Sequence, residues 1–119
     1  MITGISDRAV FATIRAEGQH VRTGDLRLRY LLVAEGDSDP PVPQLAYAIS
    51  RKVGNAVVRN RIRRRLRAVF LHNVGEYPGV LSAGVVIVLP GARERNYAEL
   101  QEQVSMLMKK IEKSTETTP

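Results

Sequence analysis

Cysteine and tryptophan are absent from this sequence of 119 residues, and histidine occurs only twice. Without cysteine the chain forms no disulfide, no thiolate zinc site and no cysteine nucleophile, so nothing in it requires an oxidising compartment. His20 and His72 are far apart, and no carboxylates cluster around either of them as a zinc site requires. The glycines form neither a phosphate-binding loop nor a dinucleotide fingerprint. We therefore expect no catalytic residue and no metal ligand in this chain itself.

Long apolar runs are also missing. The longest apolar stretch surrounds residues 84–89, far short of the roughly 18 residues that a membrane helix needs. Residues 1–8 lack the charged start, apolar centre and small-residue cleavage site of a secretion signal. We therefore expect a cytoplasmic protein with no membrane partner. The length and the 44% of hydrophobic residues predict a single domain at 1–113, followed by a disordered tail at 114–119 that has no apolar anchor.

Acidic residues are missing from one segment of the chain. Residues 51–75 contain eight lysines and arginines but no aspartate or glutamate, whereas the rest of the chain contains ten basic and twelve acidic residues. The excess of positive charge therefore comes from this segment alone. Such a concentration of positive charge indicates a polyanionic partner.

Hydrophobic periodicity predicts three helices and three strands. Alternation marks strands at 26–33 and 45–50, and a continuous apolar run at 84–89 is typical of a central strand. Residues 35–44 and 75–79 have the composition of a loop and a turn. The first helix starts at Ser6 or Asp7 and ends at Gly18, the second covers 55–73, and the third begins at the capping-box pair Asn96 and Glu99 and runs past Ile111. The order strand, helix, strand across 45–89 indicates a parallel crossover.

The faces of two predicted strands differ in chemistry. Arg27 and Arg29 project from one side of the first strand, opposite an apolar face. One face of the second strand carries only Ala46, Ala48 and Ser50. Because these side chains are small, they leave room for a ligand or another backbone.

The second helix is apolar on one side and basic on the other. Its arginines repel one another at positions i and i+4, which a purely solvated surface normally avoids by mixing charges. Guanidinium groups bind phosphate in a bidentate way, so a run of arginines without lysine favours a nucleic acid as the partner. The apolar stripe consists of Val58, Ile62, Leu66, Val69 and Phe70, with Asn60, Arg63, Arg64 and Arg67 opposite and Arg59, Arg61 and Arg65 on its borders.

Residues 50–70, SRKVGNAVVRNRIRRRLRAVF, closely resemble the signature of the bacterial ribonuclease P protein component, an Arg-Asn-Arg helix that follows a strand and a Gly-Asn turn. The resemblance extends to the order of elements along most of the chain. It implies an α/β (α+β) two-layer sandwich in which about four strands form a mixed sheet with three helices. It also implies an uncommon left-handed βαβ crossover.

The resemblance further implies the protein subunit of ribonuclease P, an endoribonuclease that removes the 5′ leader from precursor tRNA. The expected partners are ribonuclease P RNA and precursor tRNA. In this family the RNA subunit holds the catalytic groups and most of the bound Mg²⁺, which agrees with the lack of a catalytic constellation here. No organic cofactor is expected.

Two sets of RNA-contacting residues follow from the resemblance and the residue pattern together. The set facing the catalytic RNA is Arg59, Asn60, Arg61, Arg63, Arg64 and Arg67. The set lining a cleft for the single-stranded leader is Phe11, Arg15, Arg27, Arg29, Ala48, Ser50, Arg51 and Lys52. Arg15 and Arg29 stand where the family often has aromatic residues, and Arg65 stands where it usually has an apolar one.

Other interpretations stay open on the residues alone. The basic helix also fits a stand-alone RNA-binding or ribosome-associated protein, although that does not explain the Arg-Asn-Arg context. Phe11 equally fits a structural role that attaches the first helix to the core. A DNA partner is disfavoured because no helix with a short turn precedes the basic helix.

Overall fold

Three helices and five strands occupy the residues that the computed structural model describes, which are 2–32, 43–76 and 81–116. The short 3-10 helix at Pro90–Glu94 precedes the last α-helix. In chain order the elements are β1 (Thr3–Gly4), α1 (Arg8–Glu17), β2 (Gln19–Thr23), β3 (Leu26–Leu32), β4 (Gln44–Ile49), α2 (Ala56–Glu76), β5 (Leu81–Val88) and α3 (Tyr97–Glu116).

The strands form one mixed sheet in the order β1-β4-β5-β3-β2. β1, β4 and β5 are parallel, whereas β3 runs antiparallel to both of its neighbours, β5 and β2. The crossover from β4 through α2 to the adjacent parallel strand β5 is confirmed. The expected number of about four strands is too low, because β1 and β2 have no clear signal in the sequence.

The core lies between one face of the sheet and the pair α2 and α3. Leu28 of β3 and Val86 of β5 are fully buried there beside Leu66 of α2 and Leu107 of α3. Helix α1 packs on β3 and β5 from the other face, where Ile14 is buried. The sheet is therefore flanked by helices, as expected, but most of the helical layer covers one face only.

The predicted helix starts are confirmed by their hydrogen bonds. Asp7 Oδ1 accepts from the Ala9 amide at 2.9 Å, which caps α1. At α3, Asn96 Oδ1 accepts from the Glu99 amide at 2.8 Å, while Glu99 Oε1 accepts from the Asn96 amide at 3.0 Å. This reciprocal pair is the capping box that the sequence predicts.

Several predicted boundaries are wrong by a few residues. Gln44 belongs to β4 and not to the preceding loop, Ser50 lies after that strand, and Gly75 lies within α2 and not in a turn. Helix α3 continues through residue 116, so residues 114–116 of the predicted tail are helical. Residues 35–42 of the predicted loop, residues 77–79 of the predicted turn and residues 117–119 lie outside the described residues.

A polar cluster joins the β2–β3 turn to α3. Asp25 Oδ2 accepts from Arg95 Nε at 2.8 Å and from Gln103 Nε2 at 3.2 Å, and the Asp25 amide donates to Gln103 Oε1 at 3.0 Å. Burial alone raises the pKa of the Asp25 carboxyl, but these hydrogen bonds and the Arg95 charge outweigh it and hold the pKa below its usual value. Gly24 adopts a φ of 50° in this turn, a conformation that other residues rarely adopt.

Candidate nucleic-acid interface

The start of α2 is fixed by a glycine and an asparagine. Asn55 Oδ1 accepts from the Val58 amide at 3.0 Å, and the Asn55 carbonyl accepts from the Arg59 amide. A Cβ atom on Gly54 would lie 2.8 Å from Val58 Cγ1, so a side chain there would displace the first turn. The Gly-Asn pair therefore has a structural role, because it sets which side chains the helix presents.

Burial along α2 confirms the predicted apolar stripe from Ile62 to Phe70, but Arg63, predicted on the opposite face, is partly buried like the border residues Arg59 and Arg61. Ile62, Leu66, Val69 and Phe70 are at most 1% exposed. The opposite face exposes three polar residues, and the other three arginines assigned to RNA are partly buried at its borders. The exposed residues are Asn60, Arg64 and Arg67, and the partly buried ones are Arg59, Arg61 and Arg63.

The charge arrangement on α2 is unfavourable without a partner. Arg59 and Arg61 lie in the first two turns, where the positive end of the helix dipole repels cations. Within the described part of the chain, the Nε atoms of both arginines are buried without a hydrogen-bond partner. An unsatisfied buried donor costs about 1–3 kcal/mol. An anion bound along this helix would offset the repulsion between these cations and the helix dipole.

Two further contacts separate the roles of the α2 side chains. Arg65 donates from NH1 to the Arg95 carbonyl at 3.2 Å, so it attaches α2 to the segment that precedes α3. This contact explains an arginine at a position where an apolar residue is expected. Asn60 Oδ1 accepts from Arg63 NH1 at 3.0 Å, which orients that guanidinium.

The face of the sheet opposite α2 forms an open cleft. The strand register aligns Arg27 of β3 with Ile87 of β5 and Ala48 of β4, and aligns Arg29 with Val85 and Ala46. Directly paired residues point to the same face, so both predicted arginines share a face with the small side chains of β4, from which β5 separates them. We call this surface the cleft, with a floor formed by Ala46, Ala48, Val85 and Ile87.

Two basic residues that the sequence analysis missed extend the cleft. Arg22 pairs directly with Arg27, and His20 pairs with Arg29 in the β2–β3 ladder. Arginines placed directly opposite each other repel and destabilise a sheet, and the Nε atoms of Arg27 and Arg29 are buried without a partner among the described residues. The sequence signal for this strand is the alternation of inward Val21 and Thr23 with these outward residues, but the alternation spans only five positions.

Helix α1 forms one side of the cleft. Ala9 and Thr13 line a cavity of about 240 Å³ with Leu31 of β3 and residues of β5. That flank of α1 therefore lies over the row of the sheet in which Leu31 pairs with Ala83. Phe11 and Arg15 are one turn apart on the opposite flank, which is turned toward the rows with Arg27 and Arg29. The Phe11 side chain is half-buried and that of Arg15 is exposed.

The β4–α2 connection lies between the cleft and α2. Ser50, Arg51 and Lys52 are all exposed in a turn that the hydrogen bond from the Val53 amide to the Ser50 carbonyl closes at 3.1 Å. This turn extends from the end of β4 next to Ala48. The structure thus brings the predicted cleft residues to one face of the sheet and places the predicted helix residues on the other side, with this turn joining them.

The described ranges contain no group of three or more His, Asp or Glu residues arranged to hold a metal ion. None of the helices in the same ranges has both the length and the apolar character needed to cross a membrane.

Comparisons with known proteins agree with this architecture. The solved structure of the ribonuclease P protein from Thermotoga maritima superimposes with a TM-score of 0.73 at 22% identity and covers 90% of this chain and 96% of that one. That of Staphylococcus aureus gives a TM-score of 0.66 at 24% identity, with 88% of this chain and 91% of that one covered. At these identities, the superpositions establish the fold.

Sequence relatives identify the family. The chain is 39% identical to the ribonuclease P protein component of Acidothermus cellulolyticus over 70% of each chain, and 36% identical to that of Clavibacter michiganensis over 85% of each. The model of the family described as Ribonuclease P matches residues 3–112. With its sheet, basic helix and cleft, this chain belongs to the ribonuclease P protein family.

Proposed function

We propose that this protein is the RNA-binding subunit of ribonuclease P and promotes removal of the 5′ leader from precursor tRNA. Membership of the family implies an RNA partner and participation in an endoribonuclease complex. In our proposal, α2 binds the catalytic RNA and the cleft receives the single-stranded leader. The complex acts in the cytoplasm.

The catalytic groups in this proposal belong to the RNA subunit. The carboxylates and histidines of the described ranges do not gather into a group that fits a resident Mg²⁺ ion. We therefore propose that the RNA holds most of the Mg²⁺, while the protein supplies positive charge that favours assembly and substrate binding.

The acid-free arginine surface of α2 is the observation that carries the proposal. The Nε atoms of Arg59 and Arg61 are buried without partners among the described residues, and both arginines lie in the first two turns of the helix. The cleft adds Arg27 and Arg29, whose Nε atoms are likewise buried without partners in the described part of the chain. Phosphates of RNA supply the matching acceptors for both surfaces.

Reconstitution tests the proposal directly. The full chain is mixed with a bacterial ribonuclease P RNA at low Mg²⁺, and 5′ cleavage of precursor tRNA is measured with and without protein. We expect the protein to increase cleavage, and increasing salt to weaken its binding steeply because phosphate contacts release counterions. No gain in cleavage, together with equal affinity for unrelated structured RNAs, would instead support a stand-alone RNA-binding protein.

A further inference from the structure

A cavity at the edge of the sheet opens between β1, β4 and the flank of α2 that carries Arg63, and it shares Ala46 with the floor of the cleft. Its volume is about 490 Å³. Pockets for small ligands measure roughly 300–1,000 Å³, so the space suits a group larger than a single phosphate. It lies next to the helix surface that we propose for the catalytic RNA.

The cavity wall combines apolar and cationic side chains. Ile2 and Ile5 from the N-terminal segment and Leu71 from α2 form an apolar part. Arg63 and Arg67 contribute two guanidinium groups, and none of the described residues that line the cavity is a carboxylate. This chemistry fits a ligand with one apolar, flat part and one anionic part.

Tyr47 of β4 adds a neutral polar group to the wall. Burial raises the pKa of its hydroxyl to about 12, although the nearby Arg67 charge opposes the shift. Its ring packs edge-on against Phe70 with 6.2 Å between the centroids, which holds the phenol in place. Tyr47 is among the residues that line the cavity.

The arginines are arranged at the border of the cavity. Asn60 holds the Arg63 guanidinium through the 3.0 Å hydrogen bond, and Arg67 follows one turn later. Leu71, a further turn along, is 52% exposed and leaves apolar surface open on the helix. Three successive turns of α2 therefore join the proposed RNA surface to this cavity without interruption.

We infer that the cavity receives one unstacked nucleotide of the RNA that α2 binds, with its base against the apolar wall and its phosphate on Arg63 and Arg67. The inference rests on the proposed function and adds a base-reading pocket to it. Unpaired bases are commonly bound in this way, because a base has an apolar face as well as polar edges. The N-terminal segment thereby becomes part of the RNA interface.

A set of neutral substitutions tests the pocket against a general charge effect. Leu71→Gln removes apolar wall without changing charge, and Met106→Gln on α3 is its matched control because Met106 is similarly exposed, at 47%. Arg67→Gln removes one phosphate contact. The dissociation constant for a bacterial ribonuclease P RNA is measured for each full-length variant across a series of salt concentrations.

We expect Leu71→Gln to weaken binding about fivefold, as for the loss of an apolar contact with one base, with the salt dependence unchanged. Arg67→Gln should reduce the salt slope by about one phosphate contact. Met106→Gln should bind as the unsubstituted protein does. Dimethyl sulfate reactivity of the RNA bases should show one unpaired base that the unsubstituted protein protects and that Leu71→Gln leaves reactive.

The outcomes distinguish failure of the nucleotide pocket from failure of the proposed function. If the unsubstituted protein does not prefer ribonuclease P RNA to an unrelated RNA, the proposed function fails. If it does, but Leu71→Gln and Met106→Gln bind alike and protect the same bases, the pocket inference alone is overturned. Thermal unfolding of each variant identifies any loss of affinity that comes from loss of folded protein.

Discussion

At the scale of single residues, Asp25 stabilises the fold by joining the β2–β3 turn to α3 and the segment before it. Its side chain is only 18% exposed and accepts hydrogen bonds from Arg95 and Gln103, which come from a part of the chain about 70 residues later. Because these partners hold the pKa below its usual value, the charged carboxylate stabilises the folded state. That contribution is present above the pKa of the unfolded chain, near 3.8, and is lost as the pH falls through the lower pKa of the folded state.

Replacing Asp25→Asn should therefore destabilise the protein by about 1 kcal/mol at pH 7 through loss of charge-assisted hydrogen bonds. The difference from the unsubstituted protein should shrink as the pH falls below 3.8, where the aspartate of the unfolded chain becomes protonated. Urea unfolding at pH 7 and pH 3 measures both values. The control is Glu102→Gln, which removes an exposed carboxylate from α3. A destabilisation that is the same at both pH values would contradict this account.

At the scale of elements, α2 carries arginines with two different functions. Arg65 is bonded to the Arg95 carbonyl and so contributes to packing, whereas Arg59 and Arg61 have buried Nε donors that lack partners in the described part of the chain. Charge patterning in the sequence does not separate these residues, because all three lie at the borders of the apolar stripe. Only the neighbouring backbone of residue 95 distinguishes them.

The two functions predict opposite effects of substitution. Arg59→Ala combined with Arg61→Ala should weaken binding to the catalytic RNA more than tenfold and reduce the salt slope by about two phosphate contacts, with little loss of stability. Arg65→Ala on the same helix should lower the free energy of unfolding by about 1 kcal/mol and change RNA affinity little. Filter binding and urea unfolding of the three proteins provide the comparison. Equal losses of stability and affinity in both variants would show that this division is wrong.

The sequence also predicts some helices and strands better than others. The spacing of Leu66 and Phe70 predicts α2, and the reciprocal caps Asn96 and Glu99 predict α3, because these signals depend on neighbours within one turn. Strand β2 was missed because its five residues include only one strongly apolar side chain, Val21, and its stability comes from pairing with β3. His20 and Arg22 were consequently absent from the predicted cleft.

At the scale of the whole molecule, the sheet separates the two proposed RNA surfaces. α2 packs on one face, whereas the cleft lies on the other, and the turn with Arg51 and Lys52 joins them. Strand alternation predicts that Arg27 and Arg29 lie on one side of the sheet, but the sequence does not indicate His20 and Arg22 beside them. It does not order the strands, because pairing β3 beside β5 depends on contacts about 50 to 60 residues apart.

This separation predicts that substitutions in the cleft affect substrate choice and leave assembly intact. Lys52→Ala and Phe11→Ala should each reduce the preference of the reconstituted enzyme for precursor over mature tRNA by about fivefold, equivalent to about 1 kcal/mol. Their dissociation constants for the catalytic RNA should change little. Lys109→Ala, which removes an exposed lysine from α3 on the opposite side of the sheet, should leave the preference unchanged.

Combining substitutions from both surfaces tests more sharply whether the two surfaces bind RNA independently. Residues without shared partners have additive effects on free energy. We therefore expect the triple variant, Lys52→Ala with Arg59→Ala and Arg61→Ala, to lose leader preference and RNA affinity by the sum of the free energies lost in the separate variants. Binding to the catalytic RNA and the ratio of precursor to mature tRNA binding are measured on the same preparations. An interaction energy above about 0.5 kcal/mol would mean that the turn couples the two surfaces, so that binding of the catalytic RNA rearranges the cleft. Agreement within that margin would instead establish a rigid sheet that presents two separate RNA sites.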